Sequence, residues 1–300
     1  MMSGPRHAAP VDRVARPTSQ RPRSTAPPTS RIRAGPEVDR LDRDGIDEWG
    51  RSERSRRLMR RLFAPVHDRW FRVDWDGLEH VPRTGSALLV ANHAGVLPPD
   101  GAVVTHGIET HVGRPVYTLA HRVFWQHPLV GTVSSRLGAV EATRANAEQL
   151  LREHDALVLD FPEGARGAGK HLKHRYQLRR FGHGGFAEVA MRTGAPILPI
   201  AIVGAEETMP VIVRFPHIAD RLRLPNVALT LNTIILGAPG LVTWLPAKFR
   251  IRVLEPVHID QPPPSGRLDR HHIASAAEGI RARIQHAVDD MLRQRTSVWY

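Results

Sequence analysis

The sequence predicts an α/β fold: a single domain with a central, largely parallel mixed sheet flanked by helices. Three observations carry that expectation. From about Trp75 onward, short apolar runs of strand length alternate with helical stretches, the pattern of parallel strands joined by crossover helices. Two of those runs, 88–91 and 156–161, give way to Asn92-His93 and to Pro162-Glu163-Gly164, as strands do when they deliver polar side chains to a sheet edge. With 41% hydrophobic residues in a chain of 300, there is enough apolar surface for a sizeable core. Cysteine is absent, which excludes disulfides, thiolate metal sites and cysteine nucleophiles, and fits a reducing compartment.

Residues 1–45 are rich in Pro, Arg, Ser, Thr and Ala without a hydrophobic period, and are expected to be a disordered tail. They lack the apolar stretch of a secretory signal, which points to the cytoplasm. Residues 46–72 carry an apolar stripe at Leu58, Met59, Leu62, Phe63, Val66 and Trp70, with Arg51, Arg54, Arg56, Arg57, Arg60 and Arg61 on the other faces. That is a basic amphipathic helix, with a kink expected at Pro65. Such a helix suits an anionic membrane surface, and it equally suits packing on the domain with its arginines in water.

Residues 73–300 form the main domain, with strands expected near 87–91, 116–120, 156–161, 196–204 and 249–255. Helices are expected over 100–108, 128–137, 144–153, 184–193 and 211–222, and a closing amphipathic helix over 268–295. The stretch 225–247 is uncharged and long enough to span a bilayer. Asn232, Gly237, Pro239, Gly240 and Pro246 interrupt any continuous helix there, so buried strand-and-loop or an interfacial apolar patch is expected instead.

The formal net charge of +12 and the pI near 11.2 invite a nucleic-acid reading. The excess is local, because residues 1–72 hold 17 arginines against 9 acidic side chains. Only Lys170, Lys173 and Lys248 among the 42 basic residues are lysine, a bias of codon usage in a GC-rich genome more than of a binding surface. No nucleic-acid partner is expected.

For chemistry, His93 at a strand end is the candidate base, and Asp100 is the nearest carboxylate able to fix its tautomer. The plain alternative is a structural histidine beside a helix-capping aspartate. The second strand end adds Glu163 and Arg166, with cations and free backbone amides in the following loop that suit a phosphate. That loop, 164–170, nearly matches a nucleotide-binding Gly-x4-Gly-Lys-[Ser/Thr] motif, but His171 stands where the magnesium-holding hydroxyl belongs and Glu163 would repel a phosphate. Neither a Gly-x-Ser-x-Gly elbow nor a His-Glu-x-x-His motif is present.

Four segments together resemble the glycerolipid acyltransferase superfamily, which includes lysophosphatidic acid acyltransferases and monoacylglycerol-acyltransferase-like members. They are Asn92-His93 with Asp100, then 138–144 ending on Arg144, then Phe161-Pro162-Glu163-Gly164-Ala165-Arg166, then 195–200. The resemblance covers roughly residues 75–259. In the first segment six residues separate His93 from Asp100, where the family's usual spacing is four, so the carboxylate partner of His93 is left open at this point.

The resemblance implies an O-acyltransferase that moves a fatty acyl group from acyl-CoA or acyl carrier protein, as co-substrate, to a hydroxyl of a lysophospholipid or other glycerolipid acceptor. His93 would be the general base and Asp100 its orienting group. Arg144, Glu163, Gly164 and Arg166 would hold the acceptor, with no metal and no cofactor. Peripheral attachment to the inner face of the cell membrane is expected. The competing readings are a non-catalytic, membrane-associated lipid-binding protein of the same fold, and a nucleotide-binding protein that uses loop 164–170.

Overall fold

The computed structural model describes residues 45–298 apart from Val96, Arg223, Pro225, residues 261–268 and the side chain of Arg166. Except for Gly45, the expected disordered tail lies outside the described residues, as does the expected start of the closing helix at Leu268.

Residues 46–52 form a turn closed by a bridge between Ile46 and Ser52, so the helix expected over 46–72 begins only at Glu53. Ser52 caps α1 (Glu53–Pro65) by accepting from Ser55 N–H. Pro65, which has no N–H to give, is followed by one π-helical turn, Val66–Trp70. The expectation of arginines on outward faces holds for Arg54, Arg57 and Arg61 and is corrected for buried Arg51 and Arg56 and half-buried Arg60. Arg56 is buried against Glu109, and Arg60 reaches the same carboxylate at 3.1 Å. A buried carboxylate draws in the arginines that neutralise it, while Leu58 and Leu62 of the apolar stripe remain exposed.

In order there follow β1 (Asp74–Asp76), β2 (Ala87–Ala91), α2 (Asp100–His111), β3 (Val116–Ala120), α3 (Pro128–Arg136), β4 (Ala139–Glu141), α4 (Arg144–Glu153) and β5 (Leu157–Asp160). Then come α5 (Gly164–Ala168), α6 (Gly185–Thr193), β6 (Ile197–Val203), α7 (Ala205–Thr208), β7 (Val211–Arg214) and α8 (Pro216–Leu222). The chain ends with β8 (Ala228–Thr230), α9 (Leu231–Leu236), β9 (Arg250–Val253) and α10 (Arg270–Arg293).

Seven strands make one mixed sheet in the order β1-β9-β6-β2-β5-β3-β4. The ladders β6-β2, β2-β5, β5-β3 and β3-β4 are parallel, and β9 enters antiparallel to β6. β2 lies at the centre, and all five of its residues are buried. Both its faces are covered, which is why it reads as an uninterrupted apolar run. Leu88, Val90 and Val158 pack with α4, α6 and α10 on one face; Leu89, Ala91, Leu157 and Leu159 pack with α2 and Phe71 on the other. The expected α/β fold is thus the fold found.

One expected helix is corrected. The segment 211–222 is a strand followed by a short helix, with β7 paired antiparallel to β8. Three consecutive β-branched residues, Val211-Ile212-Val213, favour extended backbone, and Pro216 at the first helical position restarts the chain as helix. The uncharged stretch holds β8, α9 and a 3-10 turn at Ala238–Leu241. No described helix is long and apolar enough to cross a membrane.

Candidate active site

β2 and β5 are neighbours in the sheet, so their carboxyl ends bring His93 and Glu163 together. Asn92, buried at the end of β2, donates from Nδ2 to Ile202 O at 2.9 Å and accepts from Ile202 N–H at 2.8 Å. Its side-chain amide therefore extends the ladder to β6 by one rung after the backbone has turned away. The next residue, His93, is thereby held at the sheet edge.

His93 Nδ1 lies 2.9 Å from Asp100 Oδ2, and the same oxygen accepts from Ala94 N–H at 3.0 Å. Asp100 Oδ1 accepts from Gly101 N–H at 2.8 Å. Asp100 has no solvent exposure, so its charge is held by these donors and by the imidazole. The Phe161 ring stacks on His93 at 4.4 Å between centroids and fixes the ring's tilt. With Nδ1 turned to the carboxylate, Nε2 is the nitrogen that presents a lone pair. The six-residue spacing is accommodated because Asp100 is the first residue of α2 and points back across the turn.

Glu163 is brought to the same place but is fully engaged. Its Oε1 accepts from His93 N–H at 3.0 Å and its Oε2 from Arg179 N–H at 2.7 Å. Lys170 Nζ stands 3.3 Å from Glu163 Oε2 and 2.9 Å from Glu206 Oε1, with all three side chains buried. Burial holds the Glu206 carboxyl above its usual range, against the pull of Lys170. The nucleotide-loop reading fails on this geometry. The lysine that would reach a phosphate is clamped between two carboxylates, and the N–H groups of Gly164, Gly167, Gly169 and Lys170 donate to carbonyls within their own segment.

Gly164 turns the chain after β5 at φ +53°, a backbone conformation that side chains disfavour. The side chain of Arg166 lies outside the described residues. Arg144, at the start of α4, pairs with Glu188 Oε2 at 2.6 Å and lines a cleft of about 160 Å³ with Asp160, Gly185 and Phe186. Asp160 was not singled out from the sequence. Burial raises its carboxyl to about 6, with Phe161 N–H and nearby His93 pulling the other way. Asn92 and Phe161 were visible as residue types, but nothing in the sequence gave them these partners.

Away from the site, His67, Asp68 and His106 offer ligand atoms within 4.8 Å of one another. His67 has both nitrogens engaged, Nδ1 with Asp68 Oδ1 at 2.7 Å and Nε2 with the Trp75 indole N–H at 3.4 Å. Burial, with His67 close by, lowers His106 to about 4. The two imidazoles of the trio pack on each other at 4.7 Å between centroids, where the turn 66–70 meets α2.

A histidine paired with a buried carboxylate thus stands at the carboxyl edge of a mostly parallel sheet, an arrangement of α/β proteins able to take up a proton at Nε2. A family model described as Acyltransferase matches residues 72–203. An uncharacterised protein of Mycobacterium tuberculosis is 35% identical over 262 residues, covering 87% of this chain and 72% of its own length. One from Mycobacterium leprae is 33% identical over 258 residues, covering 85% of this chain and 70% of its own. The crystal structure of the 1-acyl-sn-glycerophosphate (LPA) acyltransferase PlsC from Thermotoga maritima is similar at a TM-score of 0.48 and 17% identity, with 78% of each chain covered. The chain belongs to one family with these mycobacterial proteins, and its residues 72–203 carry the match to the Acyltransferase model.

Proposed function

We propose that this acyltransferase moves a fatty acyl group from acyl-CoA or acyl carrier protein to a hydroxyl of a lysophospholipid or other glycerolipid acceptor, with His93 as general base. The 2.9 Å contact between His93 Nδ1 and buried Asp100 carries the reading, because it leaves Nε2 as the basic nitrogen. The acceptor hydroxyl gives its proton to Nε2 as its oxygen attacks the thioester carbonyl. A C–O bond forms, the C–S bond breaks, and the imidazolium returns the proton to the departing thiolate. Asp100 offsets the imidazolium charge in between. No covalent enzyme intermediate and no metal enter this scheme.

Glu163 acts through position: it fixes the His93 backbone and ties it to the 176–179 loop. Arg144, at the rim of its cleft, and Arg166 are the cations proposed for the acceptor's headgroup. The protein is proposed to work attached to the inner face of the membrane, where acyl chains are supplied. The intact His93–Asp100 pair supports turnover over the non-catalytic reading, which rested on the altered spacing.

Thiol release from palmitoyl-CoA tests this, with lysophosphatidic acid, monoacylglycerol or no acceptor, in the wild type and in His93→Ala. The chain has no cysteine to react with the thiol reagent. Acceptor-dependent release that drops roughly a hundred- to ten-thousandfold in the variant is expected. An equal rate in the variant would remove His93 from the mechanism.

A further inference from the structure

From Asn226 to Ala247 no side chain carries a charge, yet much of this segment faces solvent. Ile234, Ile235, Leu236, Leu241 and Val242 are exposed, Ile235 by 62% and Val242 by 69%. They are outward by construction. Thr230 and Thr233 cap α9 reciprocally, and buried Asn232 donates to Thr208 O at 2.9 Å and to Thr243 O at 2.6 Å. Gly240 lies against the Asn232 carbonyl, where a Cβ would stand 2.2 Å from the oxygen. The Thr230, Thr233 and Asn232 Nδ2 donors of this segment, the crown, are thus bonded internally, while Asn232 Oδ1 is buried without a partner, and a set of aliphatic side chains is presented on the surface. Contiguous apolar surface of that kind marks an interaction site.

The crown adjoins the catalytic loop. Trp244 Nε1 donates to Leu97 O, between His93 and Asp100, at 2.8 Å, and Trp70 Nε1 donates to Trp244 O at 3.1 Å. Leu97 and Trp70 are themselves exposed. Beside Trp70 is exposed Arg69, and two turns earlier on α1 are exposed Arg61 and Leu62.

We propose that the crown, residues 231–242, seats in the surface of an anionic lipid leaflet, with Trp70 and Trp244 at headgroup level and Leu97 at the mouth of the path to His93. Aliphatic side chains meeting tryptophans and then arginines match the order hydrocarbon, interface, phosphate. A second copy of the chain would meet the crown with an identical arginine-edged surface, like charge against like, whereas an anionic leaflet offers hydrocarbon and negative charge together. The path to His93 rests on the acyltransferase reading; the seating on lipid does not.

The test is co-sedimentation of the full chain with vesicles of phosphatidylcholine alone or with added phosphatidylglycerol, for the wild type, Ile235→Asp/Val242→Asp and Arg61→Glu/Arg69→Glu. All four positions are exposed, so the variants should fold, and circular dichroism checks this. Binding is expected to be strongest to the anionic vesicles and to fall roughly tenfold or more in the aspartate variant. The glutamate variant should lose the preference for phosphatidylglycerol. Both variants should keep wild-type thiol release with a water-soluble short-chain thioester. Undiminished binding by the aspartate variant would overturn the proposal. So would a wild-type dimer that this variant dissociates, with no vesicle binding by either. If the wild type shows no thiol release, the vesicle result still decides the lipid surface.

Discussion

His93 and Asp100 are separated by six residues in the chain and by 2.9 Å in space, Nδ1 to Oδ2. Gly95, at φ +86°, turns the loop, and α2 begins on the aspartate itself, so the carboxylate points back beneath the imidazole. The six-residue loop thereby closes the pairing.

Asp100→Asn keeps the shape and removes the charge. An amide can offer Nδ1 a donor, which favours the wrong tautomer, and it cannot offset an imidazolium. Thiol release should fall by roughly a thousandfold or more in a variant that circular dichroism shows to be folded. Activity within a factor of a few of wild type would mean that the pair is structural.

Lys170→Met tests the buried network. It leaves Glu163 and Glu206 without their cation, a change that costs about 3–5 kcal/mol in comparable buried sites. The melting temperature should drop by roughly 10 °C for a domain of this size. Wild-type melting should be unmoved by magnesium and ATP, because Lys170 is already clamped. An unchanged melting temperature in Lys170→Met, or an upward shift of the wild type with ATP, would contradict this geometry.

Much of the sheet was legible because β2, β5 and β6 are buried on both faces and so are written as plain apolar runs. Three-residue β1 and β4 were not, since neither is long enough to show a period. β7 reads as the start of a helix because its apolar residues also fit a helical spacing, although Val211-Ile212-Val213 and Pro216 carry the correction. At the site, His93, Asp100 and Glu163 were legible from their places at strand and helix ends. What Glu163 does was not, because residue type does not reveal burial. A carboxylate beside a Gly-rich loop reads as a ligand contact, and only three-dimensional packing shows its oxygens taken by His93 N–H, Arg179 N–H and Lys170.

Asp160 gives a prediction in which stability and activity separate. Its carboxyl titrates at about 6 in the folded protein, against 3.8 as the reference value, chiefly because burial disfavours its charge. Between those values the folded state holds a proton that the unfolded state has released, so stability falls as pH rises through this window. Below the window the group contributes no penalty, and above about pH 6 the penalty is constant, on the order of 2–3 kcal/mol. Asp160→Asn has no charge to bury, so its denaturant midpoint should match the wild type near pH 4 and exceed it increasingly up to about pH 6. A difference that is the same at every pH would show that Asp160 is not the group responsible. The variant should nonetheless be the poorer enzyme. Asp160 shares its cleft with Arg144, and the next residue, Phe161, stacks on His93. A carboxylate kept in a cleft at a cost to stability is the pattern of a functional site. A lower kcat/KM for the lipid acceptor, in a protein that unfolds at higher denaturant, is therefore the expected pair of results. A variant that is more stable and equally active would make Asp160 a bystander to the chemistry.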